Sequence, residues 1–102
     1  MNIFALLILL GVAPAVPDDG FATMMTEAMA KMHTAMHVQY SGDADRDFAR
    51  MMIPHHQGAI DMALAELRYG KDERLRRLAQ EIIVEQQQEI EVMKRTLGEK
   101  KC

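Results

Sequence analysis

The chain has 102 residues, and 12 Lys and Arg against 15 Asp and Glu give a net charge of −3. This length allows one small domain, and the negative charge offers no basic surface for phosphates, which excludes a nucleic-acid partner. The unusual count is 10 methionines, more than core filling normally requires.

The N-terminal segment has the pattern of a secretory signal. An apolar run from Ile3 to Val12 precedes the small residues Ala13 and Ala15, so we expect residues 1–15 to be removed after Ala15. The run is short for a membrane span, and an uncleaved N-terminal anchor is the alternative. We therefore expect a periplasmic or secreted protein. The one cysteine, Cys102, cannot form an internal disulfide and is predicted to be a free tail thiol or to pair between chains.

Two helices are predicted in the first part of the mature chain. Residues 16–20 form a short linker, after which apolar residues recur at helical spacing through Gln39. Asp43 or Asp45 then caps a second helix that runs to about Tyr69 and ends at Gly70.

The third helix begins after a cap at Asp72 and is predicted from Glu73 to Leu97. The helical domain thus covers residues 21–99, with a tail at 100–102. Its apolar residues lie on one side, as in a bundle helix. The charged run at its start, 71–77, is predicted to be a solvated surface.

Pro54 lies inside the second helix. Proline cannot donate its backbone hydrogen bond, so we expect a kink or a split near Met52 and Ile53. The predicted fold is all-α, an antiparallel bundle of three long helices with the second kinked or split at Pro54. A homodimer is another way to complete such a bundle.

Four methionines share a narrow sector of the first helix, with His33 close beside them. At about 100° per residue these are Met25, Met29, Met32 and Met36. A methionine stripe is ordinary core in most proteins. Here the third helix fills its stripe with Leu and Ile, which specify packing better, so a ligand role is favoured.

A second group surrounds Pro54 and comprises Met51, Met52, His55, His56 and Met62. Thioether sulfur is a soft ligand and imidazole suits copper, so this donor set favours Cu(I), with Ag(I) and Cu(II) as alternatives. Adjacent histidines point about 100° apart and need not bind one ion. Hydrogen-bonded packing is the alternative for His33, His55 and His56, and His37 is a weaker candidate.

Four polar residues near the apolar stripes are candidates for orienting imidazoles, namely Gln57, Asp61, Gln86 and Glu89. A buried hydrogen-bond network is the alternative. No Glu stands three residues before any His, and no G-x-S-x-G turn occurs, so di-iron and serine-hydrolase sites are absent from the sequence. We predict that the protein is not an enzyme.

The run from Asp47 to Ala63, DFARMMIPHHQGAIDMA, resembles the signature of the DUF305 family. The resemblance extends forward to Met93 and back to Met32. It implies a ferritin-like helical bundle in exported bacterial proteins, some of which bind copper or silver and act in copper resistance. It implicates the paired histidines and nearby methionines, which here are Met51, Met52, His55, His56 and Met62.

Three hypotheses follow for function. The leading one is an exported protein that sequesters or shuttles Cu(I) for copper homeostasis, with an unknown protein as copper donor or acceptor. The second is a metal-free helical module that binds partners through a methionine-rich surface. The third is a copper-dependent redox enzyme, which would need an open coordination position and a substrate pocket.

Overall fold

The computed structural model of the protein describes residues 20–98, and this range contains three α-helices and no strand. The helices are α1 (Phe21–Met36), α2 (Ala44–Tyr69) and α3 (Glu73–Thr96). The prediction of an all-α bundle with three long helices is confirmed.

The predicted starts of α2 and α3 and the predicted end of α2 are also confirmed, and α3 ends at Thr96, one residue before its predicted end. The Asp43 side chain accepts from the backbone N–H of Arg46 at 3.1 Å, and Asp72 accepts from Arg74 and Leu75 at 2.9 and 3.1 Å. These bonds satisfy backbone donors that a helix start leaves unpaired. Gly70 ends α2 and donates its N–H to the Glu66 carbonyl at 2.7 Å.

The first helix ends earlier than predicted, at Met36 rather than Gln39. The reason lies in the connection that follows. Ser41 donates its backbone N–H and its hydroxyl to the carboxylate of Asp47, which holds the chain against the first turn of α2. Residues 37–43 are needed to cross from one helix to the next.

The prediction that α2 splits at Pro54 is wrong, because the helix is continuous from Ala44 to Tyr69. Proline removes one ladder bond, the one that would end on the carbonyl of Arg50. α3 packs against α2 both before and after the proline, where Ala49 and Ile60 share one core cluster with Ile90 and Met93. A bend without a break stays a prediction.

α2 is the central helix, and α1 and α3 each contact α2 but not each other within the described range. α1 runs antiparallel to α2. A Cβ at Gly20 would collide with the Tyr69 hydroxyl, and a Cβ at Gly58 would lie 2.7 Å from the Met32 sulfur. Gly20 is therefore level with Tyr69, and Met32, twelve residues later, is level with Gly58, eleven residues before Tyr69. These two pairs fix the register of α1 on α2.

α3 is likewise antiparallel to α2. Near its start, Arg76 Nη1 donates to the carbonyls of Leu67 and Gly70 at 2.5 and 3.1 Å. Farther along, His56 of α2 contacts Glu89 of α3. The core between these helices is small: the buried residues Ala49, Ile60, Ile90 and Met93 form a cluster, on which Met52, Ile53, Ile83 and Leu97 pack.

Candidate metal centre

The three helices form a layer with two broad sides, and the sides differ in chemistry. α1 meets α2 along a line marked by Ala28, which is buried, and Met32. The groove on one side of this line is lined by Met24, Glu27, Ala28, Lys31, Asp61 and Leu64. At about 100° per residue, Met25, Met29 and Met36 lie on the other side of it.

The residues of α2 are distributed between the same two sides of the layer. Gly58 faces α1, whereas Ala49 and Ile60 face α3 from the opposite side of α2. Gln57 and Leu64 lie on the side that carries Lys31 and Asp61, because Leu64 lines their groove. Met51, His55 and Met62 are therefore on the side that carries the methionines of α1.

We call this side of the layer the methionine face. Its residues are Met25, Met29, His33 and Met36 of α1 and Met51, His55 and Met62 of α2. Met62 continues the face toward α3, where it lines a shallow groove with Leu75, Leu78 and Ile82. The opposite side, which we call the polar face, has Gln57, Gln87, Gln88, Glu91 and Lys94 around its own groove.

The helix register divides the methionine face into two groups along α2. Met36 is four residues beyond Met32 and is therefore level with Pro54, which brings it to the height of Met51 and His55. Met29 is three residues before Met32 and is level with Asp61, next to Met62. The first group combines two thioethers with an imidazole, and the second consists of thioethers.

Two of the predicted ligands, Met32 and Met52, make packing contacts between helices. Met32 lies on Gly58, with its sulfur in the contact between α1 and α2. Met52 packs on the core cluster that contains Ile90 and Met93. These contacts are the ordinary core role of methionine, and they place Met32 at the edge of its predicted stripe that lies nearest α2.

The adjacent histidines have different surroundings. His55 is exposed on the methionine face. The His56 side chain is only 12% exposed, and its Nε2 lies 2.5 Å from Glu89 Oε2. Among the described residues, His56 Nδ1 is a buried nitrogen without a hydrogen-bond partner. The two ring centroids are 6.1 Å apart, so the pair offers one exposed imidazole and one held by a carboxylate.

The polar residues predicted to orient imidazoles separate into two kinds. Glu89 contacts the His56 ring directly, which is the geometry by which a carboxylate fixes an imidazole tautomer. Gln57 instead donates to Asp61 at 3.0 Å, and both belong to the polar face. In residues 20–98, no three His, Cys, Asp or Glu side chains are grouped closely enough to hold a metal ion. The donors of the methionine face are mainly thioether sulfurs, which are of a different type.

Asp47 is the polar residue that sequence reasoning missed. It is 7% exposed. Its oxygens accept from the Ser41 backbone at 3.1 and 2.9 Å and from the Ser41 hydroxyl at 2.8 Å. The hydroxyl bond, backbone N–H groups and nearby Arg50 together lower the pKa of Asp47 from its ordinary value of 3.8, against the opposing effect of burial. The signal was available in Ser41, six residues before an acid in the first helical turn.

The family model described as "Domain of unknown function (DUF305)" matches residues 12–97, which include all three helices. The chain belongs to the DUF305 family. A relative of this DUF305 protein, "Uncharacterized protein L153" of Acanthamoeba polyphaga mimivirus, is 42% identical over 57 residues. That match covers 56% of the chain and 38% of the relative.

Two further predictions concern location. In the part of this DUF305 protein that the structure describes, none of the helices combines the length and hydropathy needed to cross a bilayer. The predicted signal segment, residues 1–15, and the linker before Gly20 lie outside the described residues.

Proposed function

We propose that this DUF305 protein binds copper, with a preference for Cu(I), through the methionine face, and acts in copper sequestration or shuttling after export. The observation that carries the proposal is the register of α1 on α2. It brings Met36 level with Met51 and His55 on one side of the layer. Two thioethers and an imidazole are donors that suit Cu(I) and Ag(I) better than hard cations.

Exposure supports a site that exchanges its ion with another protein. In the single chain, His55 is exposed and Met36 and Met51 are half-buried, so the donors of one chain are open to a partner that delivers or receives copper. Thioethers bind no competing proton at ordinary pH and form no disulfides, which suits an oxidising compartment. The role is binding and transfer of the ion rather than turnover of a substrate.

The test is an anaerobic Cu(I) titration of the chain from Val16 against a chromogenic competitor, with Met51→Leu and Met52→Leu as a matched pair. Leucine keeps the volume of methionine and removes the sulfur. We expect Met51→Leu to weaken Cu(I) binding by roughly tenfold or more, because even the loss of a side chain that only orients a ligand usually costs about 10–100-fold. Met52→Leu should leave the affinity unchanged, because Met52 packs in the core.

Equal effects of the two substitutions would contradict this assignment of ligands. A wild-type chain that never withdraws Cu(I) from a competitor of micromolar strength would overturn the copper proposal itself. In that case the second hypothesis, a metal-free module that binds a protein partner, becomes the better account of the same surface. The exposure of Met29, at 45%, and of Phe48, at 61%, favours that alternative.

A further inference from the structure

A single layer of helices leaves its sides uncovered, and in this chain one side is apolar. Stable domains bury the apolar side of each layer against another layer. Here α1 and α3 lie on opposite sides of α2 and do not touch each other. In residues 20–98 no large side chain is fully buried. The described chain therefore lacks the second layer that would cover it.

The uncovered apolar residues concentrate on the methionine face. Phe48 lies one turn of α2 before Met52 and points to the same side as His55, and it is 61% exposed. Leu75 and Leu78, 53% and 49% exposed, extend the face across α3, where they share a groove with Met62. The grooves of the polar face also have apolar residues, among them Met24, Leu64 and Val84, but these alternate with charged and amide side chains.

We propose that a second copy of this chain covers the methionine face, forming a two-layer homodimer. The size of the face matches this occupant. The helices have 16, 26 and 24 residues, which at about 1.5 Å each gives lengths of about 24, 39 and 36 Å. With about 9 Å of width for each helix, the face measures roughly 900 Å². A stable interface buries about 800 Å² on each partner. The same apolar patch on both copies is what a two-fold interface requires.

The symmetry of this dimer completes the proposed metal site. α2 is the middle helix of the layer, and His55 lies within two residues of its midpoint. If the two methionine faces overlap completely, the two-fold axis between them runs either parallel to α2 or perpendicular to it at its midpoint. Either axis sets His55 beside its counterpart in the second copy, with Met36 and Met51 of each copy around the pair. This extension rests on the proposed copper function, whereas the dimer itself does not.

The first experiment is sedimentation equilibrium of the metal-free chain, with Phe48→Glu and Leu64→Glu as a matched pair. Both residues are exposed on α2, but Phe48 lies on the methionine face and Leu64, 45% exposed, on the polar face. We expect wild type and Leu64→Glu to be dimers. Phe48→Glu should raise the dimer dissociation constant by about tenfold or more, because it buries an unpaired charge.

The second experiment maps the axis by cross-linking. In a Cys102→Ser background, His55→Cys should be joined into covalent dimers by a short bismaleimide, and Gln57→Cys on the polar face should not. A monomeric wild type, or cross-linking through Gln57→Cys alone, would overturn the dimer. If the chain binds copper as a monomer, the dimer proposal is wrong and the copper proposal stands. If the chain is a dimer that binds no copper, the copper proposal is wrong and the dimer proposal stands.

Discussion

Gly58 shows how a single residue sets the spacing of two helices. A Cβ there would lie 2.7 Å from the sulfur, 3.1 Å from Cγ and 3.2 Å from Cβ of Met32. The nearest atom is at the flexible end of the side chain, but the Cβ contact leaves Met32 little room to move. The glycine thus allows a close approach of α1 that a larger residue would hinder.

Gly58→Ala and Met32→Ala should therefore be coupled. Met32→Ala removes the sulfur and Cγ contacts and keeps only the Cβ contact at 3.2 Å. In that background, Gly58→Ala should raise the free energy of unfolding by up to about 1 kcal/mol, because alanine favours a helix over glycine. In the wild type that gain should be cancelled or reversed by overpacking, which typically costs about 1–3 kcal/mol. Urea unfolding of the four chains measures the coupling. The same change in both backgrounds would mean that Met32 does not limit the space at Gly58.

At the scale of elements, the hydrogen bonds from Ser41 to Asp47 stabilise the start of α2, and this stabilisation should depend on pH. Because its pKa is lowered in the folded state, below 3.8, the ionised carboxylate stabilises the fold above that value. The stabilisation is lost as the pH falls through the lowered pKa. Asp47→Asn should lower the free energy of unfolding at neutral pH, and its difference from wild type should shrink in acid.

The control for Asp47 is Asp45→Asn, which changes an exposed acid in the same helical turn. Urea unfolding from neutral pH to below 3.8 compares the two. If Asp45→Asn lost as much stability with the same pH dependence, the effect would belong to the charge at the helix start and not to the Ser41 bonds.

The helices themselves were largely predictable, since the caps Asp43 and Asp72 act through neighbours in sequence. The prediction failed where distant contacts decide. Pro54 is expected from the sequence to kink or split the second helix, but α2 is continuous through it, with core contacts to α3 before and after the proline. Arg76, assigned to a solvated surface, bonds instead to carbonyls at the end of α2. Neither outcome can be read from local patterns.

At the scale of the molecule, the order of the helices in the layer was not predictable from the sequence. An apolar stripe tells which side of a helix is buried and not which helix buries it. The four-methionine stripe of α1 illustrates the difficulty. Met32 turned out to lie on Gly58, whereas Met25, Met29 and Met36 share a side of the layer with Met51 and His55. The candidate residues were identified, but their grouping required the register of α1 on α2.

The lack of contact between α1 and α3 has a consequence for how the protein opens. α1 has 16 residues and buries only Ala28, and within residues 20–98 α2 is the only helix that it contacts. It should therefore detach by local unfolding while α2 and α3 stay paired. Hydrogen exchange of the Phe48→Glu variant should find α1 amides exchanging well before those of α3, and simultaneous exchange would argue for one cooperative unit. Detachment separates Met36 from Met51 and His55, so an ion shared among them would leave by fraying of one helix.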